Sequence, residues 1–212
     1  MPAGEVSALG ERVREERLRR GISLRGLARD VGVSASMISQ IETGKTRPSV
    51  STLYAITSAL GVSIQEVFDA ALREPEPAAA APARSAAPGT LLDALGSSRG
   101  LRIGPVVHAA DRQALTLDTG VVWERLGELP PHSVDFLMVT YPPGGTSSSN
   151  GGLMRHHGAE FGYLISGELV LTIGFEEIRI CTGDSFSFES TTPHSYRNDG
   201  PTPAVGVWFV SE

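Results

Sequence analysis

The sequence holds one cysteine, Cys181, and one lysine, Lys45, among 212 residues, and no long unbroken apolar run. A lone cysteine excludes an internal disulfide, so stability has to come from burial, and the expected compartment is the reducing cytoplasm. A membrane-spanning helix needs about 20 consecutive apolar residues, and no positively charged, then apolar, segment opens the chain as an export signal would. No membrane partner is expected. Seventeen arginines against that single lysine, with abundant Ala, Gly and Pro, reflect a GC-rich genome more than a function. An excess of positive charge is missing as well: the net charge is -6, which over the whole chain argues against a nucleic-acid partner.

The charge is divided unevenly, and the division reverses that conclusion. Residues 1–72 carry nine Lys+Arg and eight Asp+Glu, for +1, whereas residues 90–212 carry seven and fourteen, for -7. The length suits two small domains. Between them, REPEPAAAAPARSAAPGT (residues 73–90) has almost no large apolar side chains and reads as a partly extended linker.

Residues 31–44, VGVSASMISQIETG, are the most informative stretch. Ile38 and Ile41 stand three apart on one helical face, with Val33 ahead of them, while Ala35, Ser36, Ser39, Gln40 and Thr43 project from the other. Ser34 is the expected N-cap and Gly44 the expected stop, for about three turns. A small, uncharged, hydrogen-bonding face suits a DNA groove. Ahead of it, SLRGLARDVG places Ser23 as the cap of a second helix, with Leu24, Leu27 and Ala28 inward and Gly32 in the tight turn. That is the layout of a helix-turn-helix.

Through SLRGLA, VSASMISQIETG, RPS and TLYAITSALGVS, residues 8–70 resemble the phage-repressor-like (XRE-type) helix-turn-helix family. The resemblance implies an all-α, five-helix DNA-binding domain over 1–72, its last helix opened by a capping box from Ser63 to Glu66. Carried over by position, Ala35, Ser36 and Gln40 face base edges, Gln40 as the reader of adenine, with Ser39 on the same face. Ser34, Thr43, Lys45 and Arg47 then meet phosphates and set register. Where the family often has Gln at the second position of the helix before the turn, this chain has Leu24, which removes one backbone contact. A domain of charge +1 gains little from counterion release, so a homodimer on a palindromic double-stranded operator is expected.

The second half reads as short strands joined by Gly-containing turns: EFGYLI, ELVLTI, EEIRIC and SFSF, with further strands expected at 103–108, 121–126, 134–141, 194–198 and 204–210. That number suits a closed barrel or jelly roll. His156, His157 and His194 lie here, with Glu160 four residues after His156. On a straight strand His156 and Glu160 would share a face about 13 Å apart, and Gly158 supplies the bend that brings them together. His157 would point to the opposite face.

HHGAEFGYLISGEL and GDSFSFESTTPHSYRN resemble the two motifs of the cupin fold, and the likeness extends over residues 103–210. It implies an all-β cupin domain (a double-stranded β-helix) over 91–212, with His156, Glu160 and His194 as metal ligands. Met154 stands where a cupin usually has its first metal histidine. Two imidazoles and a carboxylate still form a facial triad for a divalent zinc, iron, manganese or nickel ion. The alternative is a pocket that has lost the ion and binds an organic molecule alone, with Met138, Met154, Tyr163 and Tyr196 as effector-pocket residues.

Together the resemblances imply a two-domain transcriptional regulator, not an enzyme, whose cupin domain senses a small-molecule effector. A second reading is an iron(II)-dependent oxygenase: a phosphonate epoxidase combines the same two modules and the same His, Glu, His pattern, which would leave the helix-turn-helix a packing role.

Overall fold

The computed structural model describes residues 4–71, 106–127 and 134–211. The linker expected at 73–90 and both domain boundaries beside it lie outside these residues, as does most of the strand expected at 103–108. Its described part, 106–108, is not a strand.

Five helices come first: α1 (Gly4–Arg19), α2 (Leu24–Val31), α3 (Ala35–Glu42), α4 (Val50–Leu60) and α5 (Ile64–Ala71). Each start from α2 to α4 is set by a serine whose side chain accepts a backbone N–H of the first turn, Ser23 from Gly26, Ser34 from Met37 and Ser49 from Thr52. Ser63 and Glu66 form the reciprocal pair expected before α5: Ser63 N donates to Glu66 Oε2 at 2.8 Å, and Glu66 N to Ser63 Oγ at 3.2 Å. Gly32, at φ +79°, ends α2 in the left-handed conformation and turns the chain into α3. Leu27, Ile38, Leu53, Ile56 and Leu60, all fully buried, form the centre of this layer.

Nine strands follow among the described residues, paired antiparallel throughout: β1 (Ala114–Thr116), β2 (Val122–Gly127), β3 (Val134–Tyr141), β4 (Ala159–Ser166), β5 (Glu168–Ile173), β6 (Glu176–Cys181), β7 (Ser185–Glu189), β8 (His194–Arg197) and β9 (Ala204–Ser211). They build a six-stranded sheet, β1-β2-β3-β9-β4-β7, and a three-stranded sheet, β6-β5-β8. Strand alternation decides what faces inward: on β3 Leu137, Val139 and Tyr141 are buried, and on β4 Glu160, Gly162 and Leu164. Gly162 has no room for a side chain, because a Cβ there would fall 2.0 Å from the Phe186 ring. Only the short β1 was absent from the strands expected in this region.

The apolar residues of the helical layer and of the barrel join in one continuous cluster. The helical layer rests on the barrel through α4, α5 and the loop before α4. Ser51 N donates to Ser147 O at 2.9 Å, Asp118 N to Pro48 O at 2.9 Å, and Gln65 Nε2 to Val134 O at 2.6 Å. The Arg125 guanidinium lies 6.0 Å from the centre of the Phe68 ring. Among the described residues no helix is long and apolar enough to cross a membrane.

Candidate functional site

Two surfaces carry chemistry, one facing out and one facing in. The outward one is α3. Ile38, Ile41 and Glu42 are buried, whereas Ser34, Ser36, Gln40, Thr43 and Lys45 are exposed and Ala35, Ser39 and Arg47 are half-buried. The helix is shorter than expected: it ends at Glu42 after eight residues, about two turns rather than three. Thr43 closes it, its hydroxyl donating to Ser39 O at 2.8 Å, and the expected stop, Gly44, lies in the following turn at φ +68°. Behind the face, Arg17 of α1 holds Glu42 in a buried two-pronged ion pair, with Nη2 to Oε2 at 2.9 Å, and its Nη1 donates to Ile22 O at 2.9 Å. This brace escaped sequence reasoning, since nothing in the helical pattern marks Glu42 as partnered across 25 residues.

The inward surface is built around Glu160. His156 precedes β4, and the bend at His157 and Gly158, with Gly158 at φ +87°, folds it back over the strand. His156 N to Ser190 O and Ser190 N to Gly158 O fix that bend. His156 Nε2 thereby comes 2.8 Å from Glu160 Oε1. From β8, where His194 and Tyr196 alternate inward and Asn198 follows just past the strand as the spacing implied, His194 Nε2 comes 2.9 Å from the same oxygen. Tyr196 donates its hydroxyl to Glu160 Oε2 at 2.7 Å. His157 is exposed and stands apart.

The second ring nitrogens explain what this convergence is for. His156 Nδ1 lies 3.0 Å from His157 O, and His194 Nδ1 lies 2.8 Å from Thr192 O. Each Nδ1 lies against a backbone carbonyl, which fixes the ring with its Nε2 toward the carboxylate, the arrangement by which metal-ligating histidines are oriented. His194 Nε2 is fully buried, with Glu160 Oε1 beside it. Three possible ligand atoms within 4.8 Å of one another fit a cation among them. Burial alone would push the Glu160 carboxyl up, but the two imidazoles and the Tyr196 hydroxyl outweigh it and hold it at about 2. The Tyr196 hydroxyl is pushed up by its own burial and then by the Glu160 charge. These three residues could hold a metal ion, with coordination positions left over.

Beside the triad lies a small cavity, with room for about one water molecule, lined by Trp123, Tyr141, Met154, Glu160, Tyr196 and Trp208, among others. Of the four effector-pocket residues expected from sequence, Met154 and Tyr196 are in this lining. Met138 and Tyr163 are not, and the correction follows from register: Met138 alternates out of phase with Leu137 and Val139, and Tyr163, half exposed, lies out of phase with Glu160 and Gly162. Met154, in place of the usual histidine, is tied to β8 by hydrogen bonds in both directions with His194.

Two lining residues come from the helical layer: Val50 and Tyr54 of α4. The Tyr54 ring stacks on His156 at 4.2 Å between centroids with an interplanar angle of 3°, and meets Trp123 edge-on at 5.7 Å. A signal was available in the sequence. VSTLYAITSAL is apolar around most of its circumference, as in a helix buried on two sides.

Residues 13–67 match the family model described as Helix-turn-helix, and residues 137–210 that described as Cupin domain. The HTH-type transcriptional regulator PuuR of Escherichia coli is 29% identical over 195 residues, covering 92% of this chain and 89% of its own. Among solved structures, an HTH_3 family transcriptional regulator from Vibrio cholerae superposes with a TM-score of 0.65 at 19% identity, over 100% of this chain and 99% of that one. Hydroxypropylphosphonic acid epoxidase from S. wedmorenis covers 99% of each chain at 18% identity, but its TM-score of 0.43 decides nothing between binding and catalysis. The chain is an XRE-type helix-turn-helix domain fused to a C-terminal cupin domain.

Proposed function

We propose that this protein is a sequence-specific DNA-binding transcriptional regulator whose cupin domain binds a small-molecule effector and a divalent metal. One observation carries the reading: α3 buries Ile38 and Ile41 completely and leaves Ser36 and Gln40 exposed. These exposed side chains are small or uncharged hydrogen-bonding groups, unlike the charged face of an ordinary surface helix. Gln40 pairs with adenine, Ser36 and Ala35 touch neighbouring base edges, and Ser34, Ser39, Thr43, Lys45 and Arg47 line the backbone. PuuR, alike over nearly its whole length, is itself a transcriptional regulator.

The acidic half keeps that chemistry apart from DNA. Residues 1–72 and 91–212 act as reader and sensor, joined by 73–90, and a homodimer places two readers on a palindromic operator. The second head then binds at high effective concentration, which compensates for the +1 charge of each. In the sensor, Met154 and Tyr196 contact the effector and His156, Glu160 and His194 hold the ion, which when bound supplies a Lewis-acidic anchor for an effector oxygen or nitrogen. An effector changes DNA affinity only through its different affinity for two arrangements of the dimer.

Gel-shift titration against DNA from upstream of the protein's own gene tests the reading. Preference over random DNA at moderate salt is expected, and equal affinity for both contradicts it. The triad also suits an iron(II) oxygenase, and anaerobic loading with iron(II) followed by oxygen-uptake measurement separates the two readings. The regulator consumes no more oxygen with candidate substrates than without them.

A further inference from the structure

The cavity next to the triad is not a property of the barrel alone. Val50 and Tyr54, four residues apart on one face of α4, close it from the helical side. Tyr54 is 6% exposed and lies flat on His156, the ring whose Nε2 faces Glu160. The same helix is bound to the DNA-facing loop. Ser49 caps it, Pro48 O accepts the Asp118 N–H, Ser51 N donates to Ser147 O, and Arg47 precedes Pro48 directly. The helix therefore touches the ligand histidine about one turn beyond its N-terminus, where Arg47, proposed to face phosphate, leads into it.

We propose that Tyr54 is a positioning residue of a composite interdomain site: through its stack on His156, occupancy of the cupin triad by a divalent cation sets the docking of α4 and hence the DNA affinity of the reading head. This rests on the regulator reading above. The stack exists only when the two domains are docked, so a cation that fixes His156 against Glu160 favours the docked arrangement. By reciprocity, loss of docking weakens the cation. Any interaction that differs between docked and undocked chains enters both affinities by the same factor.

The experiment uses the full chain, stripped with chelator and then titrated with Ni(II) alone, with Trp fluorescence reporting metal binding because Trp123 and Trp208 both line the cavity beside the triad. Metal affinity and the ratio of DNA affinities with and without metal are measured for wild type, Tyr54→Ala, Tyr54→Phe and Gln65→Ala. Gln65→Ala removes the hydrogen bond to Val134, away from the cavity, and serves if Tyr54→Ala fails to fold. In the wild type, Ni(II) changes DNA affinity by about fivefold or more, the low end of ordinary allosteric coupling. Tyr54→Ala and Gln65→Ala shrink that ratio to within about twofold and weaken Ni(II) by the factor lost, and Tyr54→Phe restores both. Unchanged Ni(II) affinity in Tyr54→Ala, an undiminished ratio in the folded variants, or no Ni(II) binding by wild type overturns the proposal. If no variant prefers operator DNA the regulator reading fails instead, while the Ni(II) affinities still decide whether Tyr54 joins the domains.

Discussion

Two buried glutamates, one in each domain, show how the same side chain serves opposite ends. Glu42 ends the DNA-facing helix and meets a guanidinium that carries its charge at any ordinary pH, in a two-pronged pair closed on itself. Glu160 meets two imidazoles whose Nδ1 atoms lie on backbone carbonyls and whose Nε2 atoms turn toward the carboxylate. The first is a brace, complete without any further partner. The second is a socket, in which His156, Glu160 and His194 each turn a possible ligand atom to one point. A buried charge becomes a binding site when its neighbours do not supply all of the opposite charge.

Breaking the brace should have the largest effect. Arg17→Ala leaves Glu42 buried and unpaired, which costs about 3–5 kcal/mol, most of the stability of an ordinary domain. Thermal unfolding of the helical layer should show it, and Arg17→Lys should recover only part, because an ammonium lacks the two-pronged fit. The socket is sensitive to acid instead. With its carboxyl at about 2 in the folded chain against an ordinary 4.5, Glu160 contributes stability present above pH 4.5 and lost as pH falls toward 2. Glu160→Gln should flatten the acid limb of a stability profile over that window, by on the order of 3 kcal/mol.

Metal addition sharpens the contrast. At about a hundredfold excess over its dissociation constant, a bound ion stabilises the wild-type chain by about 2.7 kcal/mol. Glu160→Gln and His194→Ala should lose that gain together with their metal content, whereas Arg17→Ala should keep it in the barrel. Smaller effects fall on the outward face. Ser63→Ala removes one half of the capping box before α5 and should cost about 1 kcal/mol. Lys45→Ala, losing one phosphate contact per head, should leave stability unchanged and lower the salt slope of DNA binding by about 0.9 per contact.

The helices were legible because their signals are local. Ser23, Ser34, Gly32 and the Ser63–Glu66 box each act within four residues, and each does what its position implied. The length of α3 was misread because Gly44 was the obvious stop, whereas Thr43 ends the helix with its own hydroxyl two residues after the last buried isoleucine. The triad was legible for a related reason: one glycine converts a spacing that a straight strand forbids into a contact. Met138 and Tyr163 failed because phase along a strand is set by pairing partners elsewhere in the sheet, and one residue of slip reverses the face. Tyr54 and the Arg17–Glu42 pair depend on contacts between distant segments, which no local pattern encodes.

The central claim is that the outward face reads DNA through side chains that take no part in holding the ion. The most direct measurement is the affinity of the Ser36→Ala, Gln40→Ala double variant for an operator preferred by the wild type, with metal content determined on the same sample. The account predicts a loss of about 1–3 kcal/mol in preference over random DNA, with metal content unchanged. Unaltered operator affinity would contradict it.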